Sequence, residues 1–368
     1  MQFFSRVSAI TFKEFRQLSR DRLTFGMVVM IPLIQLLLFG FAINTNIRNI
    51  NIGLLDEAQS SASRNIVETV LATQVVNLIE TYTSIQQAED AITAGRVRAV
   101  LAIPHNLEQR VANTSSALPL AQWLVDGSDN IVASALLGLR NMPLNFQPQG
   151  RVTQVAPAFE VVLYFNPERR TPVNVVPGLL AVILTMTMIL FTSTAIVREK
   201  ERGNLELLIT TPVRSFELML GKIIPYILIG LVQMTIILSL GHFVFGVPIN
   251  GSPLHIVGAT LLFIAASLTL GLIISTIAKT QLQAMQMTVF VLLPSILLSG
   301  FLFPYEGMPQ LAKWIAEALP ATHFVRMIRG IVLREATLGD VQTDSLFLLF
   351  FTMAGLLIAT LKFRKSLD

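Results

Sequence analysis

The sequence contains no cysteine and few charged residues. Without cysteine the chain forms no disulfide, no thiolate metal site and no thiol nucleophile. Charged residues make up 14% of the 368 residues and hydrophobic residues make up 53%. Soluble domains contain about 25% charged residues. The composition therefore excludes an ordinary soluble protein and favours one that places much of its surface in lipid.

A phosphate-binding loop of the form G-x-x-x-x-G-K-[ST] is also missing. The only Gly-Lys pair is Gly221–Lys222, and the position where the first glycine of the motif would stand is Phe216. The net charge of +4 is better explained by basic residues that flank membrane spans than by binding to nucleic acid. We therefore expect no nucleic-acid partner and no catalytic residue in this chain.

What the chain does contain is a set of long apolar segments. A helix needs about 20 apolar residues to cross the hydrocarbon core of a membrane. Six segments reach or approach that length, at about 23–43, 174–197, 223–246, 254–277, 280–305 and 345–361. None contains Asp, Glu, Lys or Arg, whereas ion-coupled carriers usually bury such residues along their ion paths. If this protein moves a substrate, we expect the energy to come from another subunit.

The basic residues predict how the spans are oriented, because positive charge gathers in cytoplasmic loops. Six spans with both termini inside place most basic residues near span ends on one side of the membrane: Arg6, Lys13, Arg16, Arg20, Arg22, Arg198, Lys200, Arg202, Arg214, Lys222, Lys279, Lys362, Arg364 and Lys365. Both termini and the segment 198–222 are therefore predicted to be cytoplasmic. Residues 1–22 resemble an amphipathic elbow helix at the membrane surface, although a soluble leader is the alternative.

Residues 44–172 have the composition of a water-soluble domain. The segments 49–56, 97–104, 118–126 and 152–163 are predicted to be strands, while 60–73 and 84–95 are predicted to be helices, the second ending at Gly95. We expect a small α/β domain outside the membrane, followed by a bundle over 173–368. The fold class is thus an α-helical polytopic membrane protein with an extracytoplasmic α/β domain.

The sequence DGSDN at 126–130 carries several oxygen ligands but is a poor candidate for a metal site. It lacks the twelve-residue spacing of a calcium-binding loop and the closing Glu of that loop. A turn in which Asp129 caps the following helix is the simpler interpretation. The four histidines show no paired spacing either, so we assign no metal.

The segment 198–222 separates two charge-free runs and mixes charges of both signs with an apolar patch. The second span can continue as a helix through 198–209 and break before Pro212, because the residue before proline disfavours the α region. Thr211 can cap a following helix that has Pro212 at its first position. Two helices meeting at a stiff corner could dock on a partner, whereas a solvated loop that only anchors topology is the alternative.

The same segment, REKERGNLELLITTPVRSFELMLGK, closely resembles the cytoplasmic loop of ABC-2 type transporter permeases. The family pattern is roughly R-E-x-E-x-G-T-L-E-x-L-L-x-T-P, from which Asn204 departs by replacing Thr. The segments 13–21 and 292–304 also match, and the long external domain resembles the multidrug-efflux branch. We take the candidate docking residues for an ATPase to be Arg198, Glu199, Glu201, Arg202, Gly203, Leu205, Glu206, Leu208, Thr211, Pro212, Arg214, Glu217, Gly221 and Lys222.

The resemblance implies a transport subunit rather than an enzyme. Such permeases sit in the bacterial inner membrane among its lipids and pair with a second copy or a paralogue. ABC ATPase subunits on the cytoplasmic side bind ATP and magnesium, and a periplasmic adaptor is a further partner that the resemblance leaves open. The expected cargo is a hydrophobic or amphipathic compound, and this chain binds no cofactor directly.

Two other functions fit the composition without the resemblance. A membrane-anchored sensor or assembly protein could use the external domain to bind a ligand, and an ion-coupled efflux carrier could use the spans. The segment 304–344 is expected to lie outside and to form short helices around 309–319 and 321–333. Whether these helices re-enter the membrane is left open by the sequence.

Overall fold

A computed structural model describes residues 7–9, 11–13, 16, 49–112, 118–142, 144, 158–202, 215–305, 308 and 310–362. The predicted first span at 23–43 lies outside these described residues. The same holds for most of the amphipathic segment 1–22 and for 203–214 of the candidate docking segment. The described part of the chain comprises a β-sheet region followed by a bundle of helices.

Five strands form one mixed sheet. They are β1 Ile50–Asp56, β2 Val76–Tyr82, β3 Ala99–Ile103, β4 Ala121–Asp126 and β5 Phe159–Tyr164. The strand order is β2-β1-β3-β4-β5, with antiparallel pairing only between β3 and β4. The strand predictions are confirmed for β1, β3, β4 and β5. The sequence analysis missed β2, an edge strand in which exposed positions alternate with buried or half-buried ones and which has Ile79 on the exposed side and Glu80 on the other.

Four helices accompany the sheet: α1 Ser61–Ala72, α2 Ile85–Thr93, α3 Leu107–Ala112 and α4 Asn130–Gly138. The predicted helices at 60–73 and 84–95 are confirmed as α1 and α2. The chain turns away after α2 at Gly95, whose φ of 71° lies in the left-handed region that glycine adopts without strain. The expected cap is also present, because the Val132 amide donates to Asp129 Oδ1 at 3.4 Å.

Five helices of the bundle are long and apolar enough to cross a membrane. Of these, α5 covers Thr171–Glu201, α6 Ser215–Phe243, α7 Pro253–Ile277, α8 Gln281–Leu298 and α11 Gln342–Lys362. They match five of the six predicted spans. The expectation that α5 continues to residue 209 is wrong, because the helix ends at Glu201 with Arg202 as its C-cap. Gly203 follows directly, and glycine is a poor helix former that is common just after helix ends.

Helices α5 and α7 form the centre of the bundle. Among the residues of the most apolar stretch of each helix, 83% are buried in α5 and 61% in α7. The corresponding share is only 17% in α8 and in α11. Close packing of α5 on α7 requires a glycine, because a Cβ at Gly271 would lie 2.9 Å from the Ile189 carbonyl oxygen. The Thr187 hydroxyl lies 2.8 Å from the Ile183 carbonyl oxygen of its own helix and 2.8 Å from the side-chain amide of Gln233 in α6. This hydroxyl is therefore paired inside the bundle, as lipid favours.

Two shorter helices lie between α8 and α11. They are α9 Gln310–Ala318 and α10 Pro320–Arg334, which confirms the predicted short helices. Almost every residue of α10 is buried, and Phe324 stacks on Phe263 of α7 with ring centroids 4.1 Å apart. The Asn250 side chain donates to the Leu333 carbonyl at 3.1 Å, so a loop of the bundle satisfies the end of this helix.

Buried ion pairs join the sheet region to α10. Arg334 Nη1 lies 2.9 Å from Asp126 Oδ2, and Arg98 Nη1 lies 3.3 Å from the same oxygen. Arg329 Nη1 lies 3.6 Å from Asp129 Oδ2. Burial raises the pKa of Asp126, but the two guanidinium groups and hydrogen bonds from Ser128 outweigh burial and hold that pKa below its usual range. The DGSDN turn therefore connects the two parts of the molecule as well as starting α4.

Replacing Asp126 should destabilise the whole molecule. In Asp126→Ala the Arg334 guanidinium loses its carboxylate while its side chain is only 5% exposed, and breaking a buried pair this way costs about 3–5 kcal/mol. The measurement is the thermal unfolding midpoint of the full chain in detergent. Asp90→Ala is the control, because Asp90 is exposed and its carboxylate accepts a long, 3.4 Å hydrogen bond from Gln86.

The lowered pKa of Asp126 predicts how the stability difference between wild type and Asp126→Ala depends on pH. A carboxylate whose pKa is lowered by folding stabilises the protein fully above its unfolded pKa, about 3.9 for Asp, and loses this contribution as the pH falls through the folded value. The difference between wild type and Asp126→Ala should therefore be complete at neutral pH and shrink in acid. Equal midpoints for the two proteins at neutral pH would show that the pair does not join the two parts.

Candidate coupling site

The predicted docking residues meet the described structure at the end of α5 and in α6. The side chains of Arg198, Glu199, Glu201 and Arg202 are described, and Gly221 is buried in α6. Glu217 and Lys222 also lie within α6, whose backbone is described there although these side chains are not. Outside the described residues lie the remaining members of the set, Gly203, Leu205, Glu206, Leu208, Thr211, Pro212 and Arg214.

The amino-terminal segment contacts this corner at two points. Lys13 Nζ lies 3.4 Å from Glu199 Oε1, and the Thr11 hydroxyl donates to the Gly221 carbonyl at 3.4 Å. The described residues here, 7–9, 11–13 and 16, are helical. Lys13 is 60% exposed, so its ion pair contributes at most about 1 kcal/mol. These contacts position the segment against α5 and α6 more than they stabilise it.

Glu201 connects α5 to the start of α8. Its carboxylate accepts hydrogen bonds from the backbone amide of Gln281, at 2.9 Å, and from the side-chain amide of the same residue. Arg198 Nε donates to Gln281 Oε1 at 3.2 Å. A carboxylate at a helix N-terminus is stabilised by the unpaired amides and the helix dipole. A displacement of the end of α5 would therefore act directly on α8 through these hydrogen bonds.

Sequence reasoning missed Gln281 because an uncharged residue between two apolar runs carries no distinctive pattern. The sequence did contain one signal for the start of α8, which is Thr280, the residue just before that helix. Its hydroxyl accepts from the Gln283 amide at 3.2 Å and so caps α8. A capped helix that begins next to the charged end of another helix could have been expected to bind its carboxylate.

The corner at the end of α5 is built from exposed charges and hydrogen bonds between segments. Glu201 and Arg202 are exposed to water, and within the described residues no group of three His, Cys, Asp or Glu side chains could hold a metal ion. The end of α5 contacts the amino-terminal segment and α8 through charged or amide side chains. The next part of the chain, 203–214, leads from this corner to α6.

Comparison with known proteins identifies the family of the chain. The family model described as "ABC-2 family transporter protein" matches residues 22–361 of this chain. The Escherichia coli protein named "Probable multidrug ABC transporter permease YbhS" is 29% identical over 370 residues, covering 99% of this chain and 98% of its own. YbhR, named in the same way, is 28% identical over 369 residues and covers 99% of each chain. ABC transporter G family member 20 of Dictyostelium discoideum is 25% identical over 341 residues, covering 89% of this chain and 46% of its own.

Five long apolar helices with charge at their ends are the architecture of a polytopic membrane protein. The family match covers nearly the whole chain, so this chain belongs to the ABC-2 family of transporter proteins. It is a permease of an ABC exporter, and neither the sensor nor the ion-coupled carrier is favoured.

The contact between Lys13 and Glu199 can be tested by cross-linking, since the chain has no cysteine of its own. In the double variant Lys13→Cys/Glu199→Cys, a short bismaleimide should link the two positions within one chain, as measured by mass spectrometry of the linked peptides. The control is Lys13→Cys/Glu108→Cys, because Glu108 is an exposed residue of α3 in the sheet region. Absence of the first link, with both thiols reactive, would contradict the contact.

Proposed function

We propose that this chain receives ATP-driven movement at the end of α5 and uses it to export hydrophobic or amphipathic compounds. The observation that carries the proposal is the meeting of three segments at one corner. Glu199 pairs with the amino-terminal Lys13, and Glu201 binds the first residue of α8, Gln281. A force applied to the segment 198–222 would therefore be transmitted to several parts of the bundle at once.

The motor in this proposal is a separate ATPase subunit that binds ATP and magnesium. The chain has no phosphate-binding loop of its own. The segment 198–222 docks on this ATPase, and a second copy or a paralogue of the permease completes the transport path. A periplasmic adaptor is a further partner to be tested. The cargo class follows the multidrug permeases that this chain resembles, as their names describe them.

The proposed location is the inner membrane of a bacterium, with six spans including 23–43 and with both termini in the cytoplasm. Basic residues at the Glu201 end of the bundle support this orientation, because positive charge is retained on the cytoplasmic side. The sheet region is joined to α10 at the opposite end of the bundle by Arg334 and Asp126. It would therefore lie outside the cytoplasm.

Charge reversal at the corner should uncouple the permease from its ATPase. In Glu199→Arg we expect co-purification with the ATPase subunit, and ATP-dependent uptake into inverted vesicles, to fall at least about tenfold, since a like charge placed in a complementary interface costs several kcal/mol. Deletion of 203–212 should abolish both. Lys13→Ala is the matched control, because it breaks the same internal pair and keeps the Glu199 carboxylate.

Full co-purification in both Glu199→Arg and the deletion variant would overturn docking at this segment. Equal losses in Lys13→Ala and Glu199→Arg would assign the effect to the internal pair instead. Uptake that persists without ATP and follows an ion gradient would contradict the ATP-driven mechanism.

The orientation has its own test, which again uses the absence of cysteine. In intact spheroplasts, a membrane-impermeant maleimide should label Glu108→Cys in the sheet region but not Arg202→Cys at the end of α5. Both positions are exposed, so access rather than burial decides the labelling. Arg202→Cys should react after permeabilisation, and the reverse pattern would invert the proposed topology.

A further inference from the structure

A cluster of ionisable side chains joins three helices at the end of the bundle that carries the sheet region. At its centre, His323 of α10 lies between Glu317 of α9 and Asp344 in the first turn of α11. His323 is only 4% exposed. The Phe347 ring of α11 stacks on its imidazole, with ring centroids 3.8 Å apart, and covers one face. The imidazole therefore depends on neighbouring protein groups for its hydrogen bonds.

Both nitrogens of this imidazole face oxygen atoms. His323 Nδ1 lies 2.6 Å from Asp344 Oδ1, and Nε2 lies 2.9 Å from the Glu317 carbonyl oxygen. A backbone carbonyl and an ionised carboxylate can only accept hydrogen bonds, whereas a neutral imidazole has a single N–H to donate. Both contacts are therefore hydrogen bonds only when the imidazole carries a proton on each nitrogen.

The charges around the ring also match a protonated histidine. Glu317 Oε2 lies 3.6 Å from His323 Nε2. Arg326 of α10 pairs with Glu317, and its Nη1 lies 3.4 Å from Asp344 Oδ1. With a protonated His323, two cations face two carboxylates and the cluster carries no net charge. A neutral imidazole would leave the cluster with one excess negative charge, which is costly in a partly buried place.

The contact with Glu317 also completes the end of α9. This helix covers Gln310–Ala318, so the Glu317 carbonyl is one of the last four, which have no partner inside the helix. An N–H of His323 supplies that partner, and a positive charge at the C-terminus of a helix is favoured by the helix dipole. At nine residues, α9 is too short to be stable without such contacts.

The remaining surface of α9 shows how much this end contact matters. Trp314 and Ile315 are 68% and 44% exposed, while Ala316 is buried. Lys313 lies over the Tyr305 ring, 5.5 Å from its centroid, and Arg326 lies over the same ring at 5.0 Å. The side of α9 that meets α10 is thus held by charged and aromatic groups, and its C-terminal turn is held by the imidazole.

We propose that His323 is a proton-binding site that locks α9 and α11 onto α10. In the protonated state the imidazole donates to both Glu317 and Asp344, and the lock is closed. Loss of one proton turns a nitrogen lone pair towards an oxygen atom, which weakens one of the two contacts. Histidine changes its charge between about pH 5 and 8. The lock is therefore closed in mildly acidic medium and loosens as the pH rises through that range.

The lock is a structural switch and does not require that protons cross the membrane. His323 lies in a short helix, and Asp344 lies in the first turn of α11, before the apolar part of that helix. With the orientation given under the proposed function, the site would face the outside, where acidity varies. A role in regulating export by external pH rests on that proposed function, whereas proton binding and locking do not.

Protonation of His323 can be observed directly, because the chain has only four histidines. In the full chain labelled with ¹⁵N-histidine and placed in nanodiscs, nitrogen NMR shifts distinguish an imidazolium from a neutral ring. We expect one signal, absent from His323→Gln, to show two protonated nitrogens at about pH 5 and only one at about pH 8. A His323 signal that does not change over this range would overturn the proposal.

Locking is measured by hydrogen exchange of the α9 amides, corrected for the effect of pH on the intrinsic exchange rate. In the wild type, protection of α9 should fall about tenfold from about pH 5 to pH 8, which is the effect of losing one hydrogen bond to a charged group. In His323→Gln, protection should be low and equal at both ends of the range. His105→Gln is the matched control and should behave as the wild type, because His105 is 81% exposed.

A titration of His323 that leaves the protection of α9 unchanged would show proton binding without locking and would also overturn the proposal. If His323→Gln does not fold, Asp344→Asn provides the second variant, because it keeps the size of the side chain and removes the charge that faces Nδ1. It should lower the protection of α9 at the acidic end. Neither measurement contains ATP or an ATPase, so failure here would leave the export function standing, and loss of ATPase docking in Glu199→Arg would leave the titration of His323 unchanged.

Discussion

Charge is excluded from the interiors of the five apolar helices, and the placement of the other functional groups depends on that exclusion. Residues 173–197 and 223–278 contain no Asp, Glu, Lys or Arg. A charged side chain at the centre of a membrane helix costs about 2.5–3.5 kcal/mol on insertion scales. Hydroxyls and amides are tolerated there because they bind carbonyls or one another, as Thr187 does with Gln233. The charged residues consequently lie at the two ends of the bundle, where water, head groups or other chain segments can compensate them.

At one end of the bundle, the buried positive charges are compensated by carboxylates of the sheet region. Arg329 and Arg334 of α10 are buried against Asp129 and Asp126, which lie in β4 and the turn that follows it. Desolvation makes such pairs weak sources of net stability, yet removing one partner is costly. The pairs therefore hold the sheet region in one orientation on the bundle.

At the other end, the contacts are fewer and more exposed. Glu201 binds the start of α8, and Glu199 meets the amino-terminal Lys13. Helix α5 joins the two ends, since it has 31 residues and is about 46 Å long at 1.5 Å per residue. Its burial at the centre of the bundle means that it cannot move without its neighbours. Mechanical work applied at Glu201 would thus reach α8 through the hydrogen bonds to Gln281, and the other helices through packing.

The sequence by itself determined the class of this protein, the positions of five apolar helices and four of the five strands, because span length and the alternation of buried residues are local properties. It also pointed to Glu199 and Glu201 through a local motif. It could not reveal β2, whose polar residues mask its alternation, or Gln281, which carries no charge. Tertiary structure alone decided that Asp126 would meet Arg334, more than 200 positions away, and that one carboxylate would serve two arginines. Such pairings depend on how the sheet rests on α10, and no local pattern of residues encodes that contact.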